Sequence, residues 1–222
     1  MRSPGNRLYT VSTLVPKGAR VADIGTDHGH LPIYLISEGI SPFCIACDIK
    51  EKPLLNAKEN IKKTATQNID TRLGPGLAPV LPHEVDCITI AGMGGEVIAS
   101  ILDAADWVRD PKYTLILQPM TSADALRRYL CEKGFSIESE TAVEENRKVY
   151  TVIKAGFSGE CFSPDEFFSR VGKLKPDTHA AVLYIEKQKR IIEELIAQRK
   201  EAGLDICEAT LLHKQIEKLL VR

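Results

Sequence analysis

The sequence predicts a doubly wound α/β fold, in which a mostly parallel sheet is covered by helices on both faces, followed by a C-terminal helical hairpin. Short apolar β-type runs alternate with helical patterns from residue 20 to about residue 155, an order typical of parallel strands joined by crossover helices. From about Ser158 onward, longer amphipathic helical patterns replace this alternation. We therefore expect two domains, at residues 1–156 and 157–222.

The first domain should contain a seven-stranded sheet, because seven β-type runs occur at residues 20–24, 43–49, 69–73, 85–91, 113–118, 135–143 and 149–155. Helices are expected between them at residues 31–38, 52–64, 96–104 and 123–133. Pro119 is expected to stop the fifth strand. The last two strands follow each other directly, which indicates an antiparallel addition to the sheet.

The second domain has two amphipathic patterns, at residues 178–200 and 205–220, on either side of Gly203. Such a pair is typical of an antiparallel, coiled-coil-like hairpin. Ser163-Pro164-Asp165 indicates a further helix start before it. The hairpin is suited either to holding a macromolecular partner or to joining two copies, so the chain is expected to be a monomer or a homodimer.

The composition is that of an ordinary globular chain, with 222 residues, 44% hydrophobic and 27% charged. No run approaches the ~18 apolar residues of a membrane span, and the N-terminus lacks the apolar core of a signal peptide. We expect a cytoplasmic protein with no membrane partner. The net charge of −1 gives no overall signal for nucleic acid, but the first 20 residues carry Arg2, Arg7, Lys17 and Arg20 with no acidic residue, a local pattern that favours contact with phosphates.

Cys44 and Cys47 have the CxxC spacing that redox and zinc sites also show. They fall in a predicted strand, where residues three apart point to opposite faces. We therefore expect reduced, buried thiols. No His, Cys or Asp cluster has ligand spacing, so no metal is expected.

The segment from Val21 to His30 carries the first candidate site, with the spacing D-x-G-x-D-x-G after a predicted strand. A glycine-rich turn into a helix lets backbone approach a ligand closely. The spacing differs from the dinucleotide fingerprint G-x-G-x-x-G. The carboxylate of Asp23 suits a cationic ligand, such as the amino and sulfonium groups of S-adenosylmethionine, better than a pyrophosphate.

Two further segments are expected at the same edge of the sheet. Asp48 ends the next strand, where an acid accepts hydrogen bonds from the ribose hydroxyls of an adenosine cofactor. Residues 91–95 (AGMGG) follow the fourth strand, beside the expected reversal of strand order, where open α/β sheets bind ligands. The alternative for these glycines is a plain strand-to-helix turn. Residues 117–120 (LQPM) would border the same crevice.

Together these segments resemble the TrmK family, bacterial tRNA (adenine-22-N1)-methyltransferases. The matching pieces are Asn6-Arg7-Leu8, VPKGARVADIGTDHGHLPIYL, IACDI, RLGPGL, EVDCITIAGMGGEVI, LILQPM and NRKVYTVIKA. The joint presence of DIGTDHGHLP and IAGMGG is far more specific than a glycine loop alone. The resemblance implies a class I methyltransferase (Rossmann-like) fold, S-adenosylmethionine as methyl donor, and N1 of an adenine in tRNA as acceptor.

The resemblance also implies the site residues. The cofactor pocket is expected to contain Asp23, Gly25, Asp27, His28, Asp48, Ile49, Gly76, Ala91, Gly92 and Met93. The expected catalytic residues are Asp27, which replaces the middle glycine of the commoner D-x-G-x-G-x-G loop, and Arg7. The alternative for Asp27 is cofactor anchoring or loop capping. His28 would pair with a phosphate, tune Asp27 or be structural, and His30 is expected to have no partner.

Two positions depart from the family pattern. Pro75 stands where the family usually has an Asp that helps to hold the cofactor adenine, and Pro4-Gly5 replaces the usual Leu-Ser. Pro75 favours one alternative, a noncatalytic nucleotide- or RNA-binding module on the same fold. The other alternative is a methyltransferase for a different substrate, because a fold alone does not determine the substrate.

Overall fold

The structure is a computed structural model that describes residues 4–221. Its centre is a seven-stranded sheet with the order β3-β2-β1-β4-β5-β7-β6. The strands are β1 (Val21–Ile24), β2 (Cys44–Asp48), β3 (Ile69–Leu73), β4 (Cys87–Gly94), β5 (Thr114–Thr121), β6 (Phe135–Glu145) and β7 (Lys148–Phe157). The first five are parallel, and β7 is antiparallel to both β5 and β6. The predicted doubly wound sheet and its antiparallel addition are confirmed.

Residues 4–221 also form eight α-helices: α1 (Asn6–Leu14), α2 (His30–Ser37), α3 (Glu51–Thr64), α4 (Gly95–Asp103), α5 (Ala123–Glu132), α6 (Glu166–Val171), α7 (His179–Glu201) and α8 (Cys207–Leu220). The four helices predicted for the first domain and the two of the hairpin lie within two residues of their expected bounds. The α6 helix begins after Asp165, whose side chain accepts a hydrogen bond from the Phe168 N–H and caps the helix. None of the helices formed by these residues is long and apolar enough to cross a membrane.

Helix α1 was not predicted. It starts after Gly5, which has a φ of 92° and provides no side-chain cap, so the usual start signal is missing. Its position comes instead from packing. Val11 is fully buried in a cluster with Val21 and Ile116 on one face of the sheet.

The two faces of the sheet bury separate hydrophobic clusters, and the CxxC pair shows this directly. Cys44 packs in the same cluster as α1, whereas Cys47 packs on the other face with Ile24 and Ile88. Burial raises the pKa of both thiols to about 12. The prediction of buried thiols on opposite faces is confirmed.

Strands β4 and β5 extend further than predicted. The register between them shifts on both sides of Met93, and Pro119 pairs with Met93 inside this irregular stretch. Proline is tolerated at a bulge because no ladder N–H is needed there. The prediction that Pro119 stops the strand is wrong, since β5 continues to Thr121.

The C-terminal helices pack on β6 and β7 through a third cluster, which joins Ala142 and Val149 of the sheet with Ile185 of α7 and Ile216 of α8. A buried ion pair reinforces this junction. Arg127 of α5 lies 2.8 Å from Glu140 of β6, and both side chains are fully buried. Arg127 also donates to the carbonyl oxygens of Ser169 and Arg170, at 2.9 and 3.0 Å. Strand β7 runs to Phe157, so the chain enters the helical part from the end of this strand.

Candidate active site

The carboxyl ends of β1, β2 and β4 bring the sequence-predicted residues to one edge of the sheet. Asp23 and Ile24 lie near the end of β1, and Asp48 is the last residue of β2. Residues 91–93 lie in the irregular stretch near the end of β4. The order of strands reverses between β1 and β4. These residues therefore lie where a ligand crevice is expected, at the reversal point.

Asp23 is a buried carboxylate that accepts a hydrogen bond from one neighbouring side chain. It is 5% exposed, and the Thr89 hydroxyl donates a 2.8 Å hydrogen bond to its Oδ1. Burial raises the pKa of Asp23 to about 6, because burial disfavours the charged form. The buried Thr26 hydroxyl lies near enough to lower the pKa of Asp23 but forms no well-aligned hydrogen bond within residues 4–221. A buried acid and an unpartnered hydroxyl together fit a polar ligand that carries a cationic group.

Asp48 holds the turn that follows β1. Its Oδ2 accepts the Asp27 N–H at 3.3 Å, and its Oδ1 accepts the Lys50 N–H at 2.8 Å. A carboxylate oxygen has a second lone pair, so both oxygens can still accept a bond from a ligand hydroxyl. Ile49, the next residue, is 65% exposed beside it. This arrangement fits the predicted role of Asp48 toward a ribose.

Asp27 lies in the turn that follows β1, at the same edge of the sheet. Its backbone has a φ of 48°, a left-handed conformation that Asp adopts more readily than most residues, and its side chain is 65% exposed. The His28 Nε2 lies 3.5 Å from Asp27 Oδ2. The His28 ring stacks on His30 with 5.4 Å between ring centroids. The prediction that His30 has no partner is therefore wrong.

Glycines bring three segments close together around this crevice. Gly25 has a φ of 77°, and the Met93 side chain occupies the space that a Cβ at Gly25 would need. Gly76 has a φ of 51°, and a Cβ there would lie 3.1 Å from Ile101. Pro75 beside it is exposed. The turn is tied to β2, since the Gly74 N–H donates to the Asp48 carbonyl at 3.0 Å.

Arg7 reaches the site through a network that sequence reasoning missed. Its Nη1 donates to Gln118 Oε1 at 2.7 Å, and the Gly92 N–H donates to the same oxygen at 3.0 Å. Its backbone N–H and its Nε donate to the carboxylate of Glu145, at 3.1 and 3.3 Å. Gln118 is fully buried. Its signal in the sequence is a polar residue near the end of an otherwise apolar strand, whereas Glu145 is 138 residues from Arg7 and gives no local signal.

The basic residues of the N-terminus do not form one patch. Arg20 precedes β1, at the opposite edge of the sheet from the crevice, and pairs with Asp86 at 2.8 Å. Arg7 lies at the crevice, and Arg2 lies outside the described residues. The expected contact of this segment with phosphates stays a prediction, with Arg7 and Arg20 at opposite edges of the sheet. Within the part of the chain that the structure describes, no three His, Cys, Asp or Glu side chains gather as a potential metal site.

The fold and the crevice define a class I methyltransferase domain. In agreement, residues 5–153 match the family model described as a methyltransferase domain. A curated tRNA (adenine(22)-N(1))-methyltransferase of Bacillus subtilis is 40% identical over 150 residues, which are 67% of this chain and 63% of that protein. The aligned part of this chain thus spans less than two thirds of that relative.

Solved structures match over nearly the whole chain. The Bacillus subtilis tRNA methyltransferase TrmK has a TM-score of 0.79 and 30% identity, covering 97% of this chain and 95% of that one. A Streptococcus pneumoniae protein solved in complex with S-adenosyl-L-methionine has a TM-score of 0.82 and 30% identity, covering 99% of this chain and 100% of that one. The chain belongs to the TrmK family. The resemblance found in the sequence motifs is confirmed.

Proposed function

We propose that this protein is an S-adenosylmethionine-dependent methyltransferase that modifies N1 of an adenine in tRNA, at position 22. The observation that carries the proposal is the pair of acids at the tips of β1 and β2. Asp23 is buried without a cationic partner within residues 4–221, and Asp48 holds the backbone of Asp27 beside it. Family membership, which extends over both parts of the chain, supports the choice of substrate.

S-adenosylmethionine supplies an electrophilic methyl group on a sulfonium when it is bound. In the proposal, Asp23 pairs with the amino group of its methionine part, and Asp48 accepts from the ribose hydroxyls. Gly25, Gly76, Ala91, Gly92 and Met93 let backbone line the pocket closely, with Ile49 and His28 at its rim. Pro75 offers no carboxylate, so contacts to the donor adenine come from backbone and apolar groups.

Asp27 is the proposed catalytic residue. Neutral adenine has an in-plane lone pair on N1 and no proton there, so attack needs no prior deprotonation, and positioning supplies most of the acceleration. Methylation places positive charge on the base. The exposed carboxylate of Asp27, in the turn that follows β1, would stabilise that charge and accept a proton from the exocyclic amine afterwards.

Arg7 was predicted to be catalytic, and its contacts support a positioning role. Its guanidinium is held by Glu145 and Gln118 and is 19% exposed. Through the shared oxygen of Gln118, Arg7 fixes the Gly92 backbone at the edge of the crevice. We therefore assign Arg7 to orienting the glycine segment rather than to proton transfer.

Recognition of tRNA requires that the target adenine leaves its stack, because N1 lies on the Watson–Crick edge. Folded RNA is held mainly through its backbone and shape, and we assign this to the C-terminal helices together with the rim around Arg7. Binding should weaken steeply with salt. A tRNA substrate also fits the expected cytoplasmic location. The choice between monomer and homodimer stays a prediction.

The test is transfer of a labelled methyl group from S-adenosylmethionine to bulk tRNA and, separately, to bulk protein, with donor binding measured by calorimetry. We expect 1-methyladenosine at position 22 of the labelled tRNA after nuclease mapping. Donor binding without transfer would favour a noncatalytic module. A labelled methyl group found only in the bulk protein would show that the enzyme is a methyltransferase for a protein substrate and not for tRNA.

A further inference from the structure

We propose that a second cavity, between the end of β5 and helix α7, is a phosphate-binding subsite that takes a backbone phosphodiester of the RNA substrate. For the identity of the RNA, this inference rests on the proposed function. The crevice is a cavity of about 120 Å³, well above the roughly 10–15 Å³ that a single water needs. Its walls are residues 119–124, residues 149–151 of β7, Arg170, and residues of α7.

The cavity adjoins the candidate active site. Thr121 in its wall pairs with Gly94 of β4, at the end of the glycine segment that lines the crevice for the donor. Pro119 follows Gln118, whose side chain holds Gly92. A group bound in this cavity is therefore next to the edge of the sheet where the target base must enter.

The first wall of the cavity is the N-terminus of α5. Ser122 occupies the N-cap position with a φ of 52° and makes no side-chain capping bond. The first three N–H groups of a helix have no partner inside it, and no side-chain or loop acceptor among residues 4–221 bonds those of residues 123–125. Uncapped N–H groups at the positive end of a ten-residue helix favour an anion.

Gln188 is an independent indication of a ligand. Its side chain lines the cavity and is 7% exposed, and no residue from 4 to 221 forms a hydrogen bond with its amide. Its amide atoms keep contact with the solvent in the cavity, so they are free to bond a molecule that enters it. Tyr184, one turn earlier, is 4% exposed and accepts from Arg127 Nη2 at 3.2 Å, which leaves its own hydroxyl proton to donate.

The charges around the cavity favour an oxyanion. Lys187 lines it and forms no ion pair with any described acid. Arg170 also lines it and lies 3.9 Å from Asp124, so the one acid in the wall is partly neutralised; Arg170 also pairs with Glu166 outside the wall. The Lys187 ammonium, the Gln188 NH2 group, the Tyr184 hydroxyl and the helix N–H groups can all donate. A phosphodiester oxygen only accepts, which matches this set.

Two substitutions on α7 test the subsite, Gln188→Leu and Lys187→Met. Lys63→Met, near the end of α3 and outside the surface assigned to RNA, is a control with the same charge change as Lys187→Met. We expect each cavity variant to raise KM for a tRNA transcript about tenfold, the loss of one hydrogen bond to a charged group. kcat and the Kd for S-adenosylmethionine should stay at wild-type values. Lys187→Met should also lower the salt dependence of tRNA binding by about one phosphate contact. If both cavity variants have the same KM for tRNA and the same salt dependence of tRNA binding as the control variant, the proposal is overturned.

Inorganic phosphate distinguishes the source of the anion. Titration of ¹⁵N-labelled protein with phosphate should shift the Gln188 side-chain amide signal, and tRNA should compete with phosphate for this effect. A phosphate shift combined with wild-type tRNA affinity of Gln188→Leu would assign the cavity to free phosphate and overturn the RNA assignment. If the wild type methylates no tRNA, the proposed function fails by itself, and equilibrium tRNA binding to wild type and Gln188→Leu still decides the subsite.

Discussion

Gln118 Oε1 accepts two hydrogen bonds, one from the Arg7 guanidinium at 2.7 Å and one from the backbone N–H of Gly92. One buried oxygen thus joins helix α1, strand β5 and the glycine segment of β4. The amide orientation is determined, because Gln118 Nε2 donates to the Pro119 carbonyl at 2.9 Å. The position of the glycine segment at the crevice therefore depends on a residue outside the cofactor motifs.

Gln118→Leu should accordingly lower kcat by roughly 10- to 100-fold, since Arg7 and Gly92 lose their common acceptor at about 1.5–3 kcal/mol for a bond to a charged group. The Kd for S-adenosylmethionine should change less than kcat, because Asp23 and Asp48 are untouched and only the glycine segment of the pocket shifts. Steady-state kinetics measures kcat, and calorimetry measures the Kd for S-adenosylmethionine. Gln118→Glu keeps an acceptor oxygen and should retain more activity than Gln118→Leu. Equal kcat in Gln118→Leu and wild type would rule out the positioning role.

Asp27→Asn separates catalysis from cofactor anchoring. The side chain is 65% exposed, so its replacement should leave stability almost unchanged. We expect turnover to fall about 100-fold or more, the usual size of a lost acid–base or electrostatic contribution, with donor affinity intact. Asp48→Asn is the contrasting variant and should weaken donor binding. If Asp27→Asn weakens donor binding and leaves single-turnover chemistry unchanged, Asp27 is an anchor and not a catalyst.

Asp23 links donor binding to the pH dependence of stability. Its pKa is about 6 in the fold against 3.8 as the ordinary value. Between these values the folded state binds a proton that the unfolded state lacks, so the donor-free protein gains stability as the pH falls from 7 to 4. The full gain is about 3 kcal/mol, and it is lost as the pH rises through 6.

Asp23→Asn should therefore be more stable than wild type at pH 7.5 without donor, and the difference should shrink toward pH 4.5. Its affinity for S-adenosylmethionine should fall at least tenfold, because the amide cannot pair with an ammonium group. Chemical denaturation at several pH values gives the stability difference, and calorimetry gives the affinity. A variant that is less stable than wild type by the same amount at every pH would contradict the assigned cause.

The motifs predicted the edge of the sheet where the site lies but not its supporting contacts. Strand periodicity and the turns after Asp23 and Asp48 are local properties, so the succession of strands and helices and the two candidate cofactor acids could be predicted from them. Helix α1 has no N-cap signal and is held by Val11 and Arg7 against distant residues. Contacts between residues more than 100 positions apart, such as Arg7 with Gln118, leave no periodic pattern in one sequence.

The buried pair also illustrates this limit. Arg127 and Glu140 look like ordinary surface charges of a helix and an exposed strand edge in the sequence. They become fully buried only because α6 and α7 cover them. Gly172, with a φ of 65°, has no room for a Cβ beside either side chain. The packing of the C-terminal helices thus depends on three residues that no local pattern connects.

Arg127→Met should destabilise the protein by about 3–5 kcal/mol, because it leaves the Glu140 charge buried without a partner. It also removes the donors to the Ser169 and Arg170 carbonyl oxygens. Arg128→Met is the matched control. Arg128 is 35% exposed and pairs with Glu166, so its loss should cost less than about 1 kcal/mol.

The double variant Arg127→Met/Glu140→Gln should recover part of the stability lost in Arg127→Met, because a neutral amide is less costly to bury than an unpaired carboxylate. The Thr151 hydroxyl, which donates to Glu140 at 3.1 Å, keeps an acceptor in that variant. Urea unfolding monitored by circular dichroism measures the stability of Arg127→Met, Arg128→Met and the double variant. Limited proteolysis after Phe157 reports release of the C-terminal helices. Arg127→Met and Arg128→Met unfolding at the same urea concentration would show that this ion pair does not hold the two parts of the chain together.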